Sequence, residues 1–113
     1  MIKIYHNPRC TKSRQGVAFL EENKVEFEII KYLNEPFTES SLKEVLLQLE
    51  MTPMELVRKT EAIWKSDYKG KELTDAELVT AMVNNPKLIE RPIVVHNNKA
   101  VVARPTEKIS DIL

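Results

Sequence analysis

The sequence predicts an α/β fold with β-structure at its two ends and a helical middle. Three observations carry this. A short β-branched opening leads through a turn-like stretch into a helix and a second strand; helix-period apolar spacing fills the centre; and two β-branched runs flank Asn97-Asn98 in the last quarter.

Ile2 to Tyr5 is β-branched and aromatic, and it empties into His6-Asn7-Pro8, a turn-like stretch. From Thr11 to about Asn23, Val17 and Leu20 with the neighbouring Ala18 and Phe19 suit a helix, followed by a strand over Glu26 to Lys31. If the two strands are parallel, the end of the first meets the start of the helix, and Cys10 lies at that junction. After Thr38, an N-cap residue, Leu42, Val45, Leu46 and Leu49 follow the i, i+3, i+4, i+7 rule. A second central helix starts at Pro53. Trp64 to Lys71 shows no period and reads as a loop with Trp64 as its anchor. Thr74-Asp75-Ala76-Glu77 is a capping-box sequence, and Leu78, Ala81 and Met82 supply the buried stripe behind it. Pro92 to His96 and Lys99 to Ala103 form a hairpin, because Asn tolerates the positive φ of a type I′ turn. Pro105 opens a last helix with Ile109, Ile112 and Leu113 facing inward.

A chain of 113 residues fits one domain, taken as residues 1–113 with the helical insertion at about 38–89. Seventeen basic residues balance seventeen acidic ones, so bulk charge points to neither nucleic acid nor a membrane surface, and any anion site must be built locally. No apolar run approaches the ~20 residues that cross a bilayer, and the N-terminus lacks a signal peptide's layout, which predicts a cytoplasmic protein. The single cysteine forms no internal disulfide, and one Cys with His6 and His96 is a poor zinc set, so no metal is expected. Cys10 is either inert filling or a reactive thiol.

Its position favours reactivity. A cysteine at a helix N-terminus meets free backbone amides and the positive end of the helix dipole, and both favour thiolate over thiol. Arg9, Lys12 and Arg14 surround it in sequence, and the same amides and charges attract an oxyanion.

The run His6-Asn7-Pro8-Arg9-Cys10 followed by Ser13-Arg14 resembles the active-site segment of the glutaredoxin-coupled ArsC-type arsenate reductases, in the ArsC/Spx-like branch of the thioredoxin-like fold. The resemblance continues through Glu90-Arg91-Pro92-Ile93-Val94-Val95 and Ala103-Arg104-Pro105 and covers nearly the whole chain. It implies a thioredoxin-like mixed four-stranded sheet, with the helical insertion between an N-terminal βαβ and a C-terminal ββα part. It also implies that Cys10 attacks arsenate while Arg58, Arg91 and Arg104 hold the oxyanion. Pro92 resembles the cis-proline that faces the active cysteine in this fold. Ser13 stands where dithiol members carry a second cysteine; it donates a hydrogen bond to the thiolate or is simply a first-turn residue. His6 either modulates Cys10 electrostatically or satisfies a local hydrogen bond. Arg9 and Thr11-Lys12 replace the small residue and the Gly-Thr of the best-described members, which makes this loop bulkier and more basic.

The activity so implied is arsenate reduction through a covalent arseno-cysteine, with glutathione as reducing co-substrate, a glutaredoxin as protein partner and no bound cofactor. Two alternatives stand beside it: an Spx-like regulator that binds RNA polymerase, and a monothiol glutathione-dependent reductase or transferase acting on another substrate.

Overall fold

The computed structural model describes all residues from Met1 to Leu113, and the chain divides into two compact units. The first joins residues 1–35 to 91–113; the second is residues 36–90.

In the first unit, β1 (Ile2–Tyr5) is followed by α1 (Thr11–Glu22), β2 (Phe27–Ile30), β3 (Ile93–His96), β4 (Lys99–Val102) and a 3₁₀ helix over Thr106–Ile112. The strands form one mixed sheet in the order β2-β1-β3-β4. β1 runs parallel to β2, with Ile4 opposite Ile29, and antiparallel to β3, with Ile4 opposite Val94. Asn97 and Asn98 take φ of 52° and 63°, the left-handed pair that a type I′ hairpin between β3 and β4 requires. Alternation buries Ile2 and Ile4 and exposes Lys3 between them. The two isoleucines join Leu20, Val94, Ala103, Ile109 and Ile112 in one apolar core.

Of the apolar residues expected to support α1, Leu20 is fully buried and Val17 and Phe19 pack partly buried against the core, while Ala18 is exposed; Ser13 and Gly16 complete the buried face. A Cβ on Gly16 would stand 3.1 Å from both Ile4 Cδ1 and Pro92 Cγ, so at this position, midway along α1, the helix lies too close to β1 and Pro92 for a larger side chain.

The C-terminal segment is a 3₁₀ helix rather than an α-helix, and this corrects one inward residue. With three residues per turn, Ile109 and Ile112 align on the buried face, while Leu113, one position further, is 45% exposed.

The second unit contains α2 (Glu39–Leu49), α3 (Pro53–Leu56), a five-residue π-helical turn (Trp64–Tyr68), α4 (Asp75–Asn84) and a short 3₁₀ turn (Pro86–Leu88). All three α-helices start with a capping box. In α4 the Thr74 hydroxyl accepts from the Glu77 amide, while the Glu77 carboxylate accepts from the Thr74 amide. Thr52 with Glu55 and Thr38 with Ser41 do the same for α3 and α2. Leu42, Val45 and Leu46 of α2 are buried with Leu78, Val79, Ala81 and Met82 of α4. The expected loop after Ile63 is the π-turn. The Lys69 amide donates to the Trp64 carbonyl at 2.8 Å, an i to i+5 bond that leaves no 3.6-residue signature in five residues. Trp64 is buried there and stacks on Tyr68 at 5.9 Å between ring centroids.

No helix is long and apolar enough to cross a membrane.

Candidate functional site

Cys10 is the N-cap residue of α1, in extended conformation at φ −94° and ψ 123°. The loop before it is held from both sides. Its own amide donates to the Asn7 carbonyl at 3.0 Å, and the Arg9 amide donates to Asn7 Oδ1 at 3.1 Å. The Asn7 amide in turn donates to Ser13 Oγ at 3.2 Å, so buried Asn7 and Ser13 fasten the loop to the first turn of the helix. Asn7 was not singled out in the sequence, where an Asn before Pro signals only a turn.

The carboxyl end of β1, the start of β3 and the end of β4 meet at this loop. Arg104 Nη2 stands 3.6 Å from Cys10 Sγ, and Arg104 Nε donates to the Arg91 carbonyl at 2.7 Å. The Arg91 guanidinium hydrogen-bonds the same sulfur, although only 8% of Arg91 is exposed. Both arginines precede a proline through a cis peptide bond; this was expected at Pro92 and not at Pro105. Pro92 is buried and packs close to Gly16 on α1.

Opposing effects set the Cys10 thiol's acidity. Burial raises its pKa, but the Ser13 amide, the Arg91 guanidinium and the Lys12 amide together outweigh that and hold it below the ordinary thiol value. The two amides favour the sulfur's charge from the helix end without either making a full capping bond to it.

Other expected contributors take different parts. Ser13 supplies its main-chain amide to the Cys10 sulfur, and its hydroxyl accepts from the Asn7 amide. Arg14 braces the loop from outside, donating to the Pro8 carbonyl at 3.0 Å and to Thr11 Oγ1 at 3.2 Å. The side chains of Arg9 and Lys12 are exposed. His6 is buried with Nδ1 unpartnered, and its pKa is lowered first by burial and then by the charges of Lys31 and Arg14, against a hydrogen bond to the Ser13 main chain. Arg58 lies in the second unit, where its Nε pairs with Glu61 at 3.3 Å and its amide donates to the Leu88 carbonyl at 2.6 Å. The structure therefore brings Cys10, Arg91, Arg104, Pro92, Ser13 and His6 together within the first unit. No three His, Cys, Asp or Glu side chains gather as a metal site.

An N-cap cysteine with a lowered pKa and two guanidiniums at its sulfur invites comparison with known redox proteins, and the family pattern of ArsC matches residues 5–112. The chain belongs to the ArsC family. Among related ArsC-type chains, an uncharacterised protein of Escherichia coli (strain K12) is 45% identical over 99% of this chain and 96% of its own length. A Neisseria meningitidis protein named arsenate reductase is 39% identical over 99% of this chain and 97% of its own. A solved structure described as arsenate reductase from Vibrio cholerae superposes with a TM-score of 0.95 at 40% identity, covering 99% of this chain and 97% of that one. The mixed four-stranded sheet of this ArsC-family chain is thus the thioredoxin-like fold that its active-site segment implied.

Proposed function

We propose that this ArsC-family protein reduces arsenate to arsenite, with Cys10 as the nucleophile. The observation that carries the reading is the Cys10 sulfur held against Arg91 and Arg104, a nucleophile of lowered pKa beside two planar cations. The names of the Neisseria and Vibrio relatives support the choice of oxyanion.

Arsenate and a thiolate repel each other, and guanidinium groups offset that repulsion while presenting paired donors to the oxygens. The Cys10 thiolate forms a sulfur–arsenic bond as one arsenic–oxygen bond breaks, and the oxygen leaves with two protons as water. Arsenic is still pentavalent at this stage. A glutathione thiol then attacks, two electrons pass to arsenic as a disulfide forms, and a glutaredoxin takes up that disulfide as arsenite leaves. The sum is arsenate plus two thiols giving arsenite, one disulfide and water. With one cysteine in the chain, both the second thiol and the disulfide's acceptor must come from outside. We place the reaction in the cytoplasm, where glutathione keeps thiols reduced, and assign oxyanion binding to Arg91, Arg104 and Arg58.

The test is a coupled assay with arsenate, glutathione and glutaredoxin. Arsenate-dependent glutathione oxidation that is absent in Cys10→Ser is the expected result. Glutathione oxidation indifferent to arsenate would instead favour a monothiol reductase or transferase of another substrate. Capture of RNA polymerase without turnover would favour an Spx-like regulator.

A further inference from the structure

We infer that Arg9 and Lys12 form a subsite for the carboxylates of glutathione at the mouth of the Cys10 site. The inference rests on the thiol chemistry proposed for Cys10 and adds to it the residues that select the thiol.

Between Met1 and Leu20 the chain carries Lys3, Arg9, Lys12 and Arg14 and no acidic residue, although the whole chain is neutral. The cations near Cys10 divide by what already occupies them. Arg91 and Arg104 are engaged with the sulfur, and Arg14 is spent on Pro8 and Thr11. The side chains of Arg9 and Lys12 are exposed and make no hydrogen bond or ion pair. They stand one residue before and two after the reacting cysteine. The hydrogen bond from the Arg9 amide to Asn7 Oδ1 and the helical backbone at Lys12 fix where their side chains begin.

An exposed guanidinium and ammonium on the residues flanking a nucleophilic cysteine favour a reactant with anionic groups a few bonds from its own sulfur. Glutathione has that form, with a carboxylate at each end of a short peptide and the thiol between them. The same two charges disfavour a cationic thiol and are indifferent to a neutral one.

Mixed-disulfide formation tests this without arsenate. The Cys10 thiolate attacks one sulfur of glutathione disulfide, a Cys10–glutathione disulfide forms, and one glutathione leaves as thiolate. Mass spectrometry would follow the rate for three probes: glutathione disulfide, neutral hydroxyethyl disulfide and cationic cystamine. The ratio of the glutathione disulfide rate to the hydroxyethyl disulfide rate is the quantity to compare, because any change in Cys10 acidity affects both probes and cancels. In Arg9→Gln/Lys12→Gln that ratio should fall roughly 3- to 10-fold, the range for two exposed charge pairs, and the penalty on cystamine should shrink. Raising the salt concentration should reduce the native ratio in the same direction. A ratio unchanged in the double variant overturns the subsite and leaves the thiol chemistry of Cys10 standing. Failure of Cys10 to react with any of the three overturns both.

Discussion

Arg104 Nε donates to the Arg91 main-chain carbonyl at 2.7 Å, and the same guanidinium reaches Cys10 Sγ at 3.6 Å. One side chain therefore ties the start of β3 to the end of β4 and points the remainder of its planar donor set at the nucleophile.

Replacing Arg104 should cost more than a charge. Arg104→Ala removes a charge-assisted contact of ~1.5–3 kcal/mol, a roughly tenfold to hundredfold loss in arsenate kcat/KM if the contact persists in the transition state. Arg104→Lys restores the charge but cannot bond the Arg91 carbonyl and the sulfur from one rigid plane, so its recovery should be partial. Steady-state kinetics with circular dichroism as a folding control checks both. Full activity in Arg104→Lys would reduce the residue to a point charge.

Cys10 should alkylate with a pH midpoint below that of an ordinary thiol, and Arg91→Ala should move the midpoint up, because the Arg91 guanidinium is one of the groups that lower it. Stability is linked with a definite sign. A lowered folded-state pKa contributes stability that is fully present above the ordinary value of 9.0 and is lost as pH falls through the folded value. The Tm difference between the native protein and Cys10→Ser should accordingly widen as pH rises through that window. A flat difference would show that the thiol is not perturbed.

His6 should make the protein sensitive to mild acid. Its folded pKa is lowered, chiefly by burial, so the unfolded chain takes up a proton near 6.5 that the folded chain resists. Stability is complete above that pH and falls as pH drops toward the folded value. His6→Gln, which keeps a hydrogen-bonding group and does not titrate, should flatten this part of the Tm profile. An equally steep fall in the variant would assign the acid sensitivity elsewhere.

Gly16→Ala should destabilise the fold despite alanine's helix propensity, which by itself would stabilise by ~1 kcal/mol. The new methyl meets Ile4 Cδ1 and Pro92 Cγ at 3.1 Å, and Ile4 is fully buried while Pro92 is a rigid, buried ring. Overpacking of this kind costs ~1–3 kcal/mol, so the net change should be a loss of up to about 2 kcal/mol in denaturant titration. A gain in stability would mean the two side chains yield freely.

Arg58 separates a structural from a functional role. Its pair with Glu61 is about one-quarter exposed on each side, and a pair of that kind contributes at most ~1 kcal/mol. If Arg58 binds the oxyanion as proposed, Arg58→Ala should lower arsenate kcat/KM roughly tenfold or more, with little change in Tm. Glu61→Gln removes the ion pair and keeps the arginine, so its activity should stay well above that of Arg58→Ala. Equal effects in the two variants would leave Arg58 with a structural role.

Local rules settled much of this molecule before any packing was considered. The Thr74-to-Glu77 capping box, the Asn97-Asn98 turn and the strand–loop–helix entry to Cys10 depend on neighbours a few residues apart, and all three were legible as written. Arg91 and Arg104 were found by their resemblance to family motifs rather than by any pattern of their own. What the sequence could not show is how each cation near the thiol is used. Arg14, adjacent in sequence, turns back onto the loop, whereas Arg104 arrives from the far end of the chain, because four strands pair in an order that carries it there. The same pairing explains Gly16, and the 3₁₀ winding of the last segment explains Leu113. A glycine inside a helix and a terminal leucine acquire their roles only once the sheet fixes how close α1 lies to Pro92 and the 3₁₀ period fixes which way the last residue points. Contacts set by the chain's own rotation can be read in one dimension, while those set by the meeting of distant segments need the third.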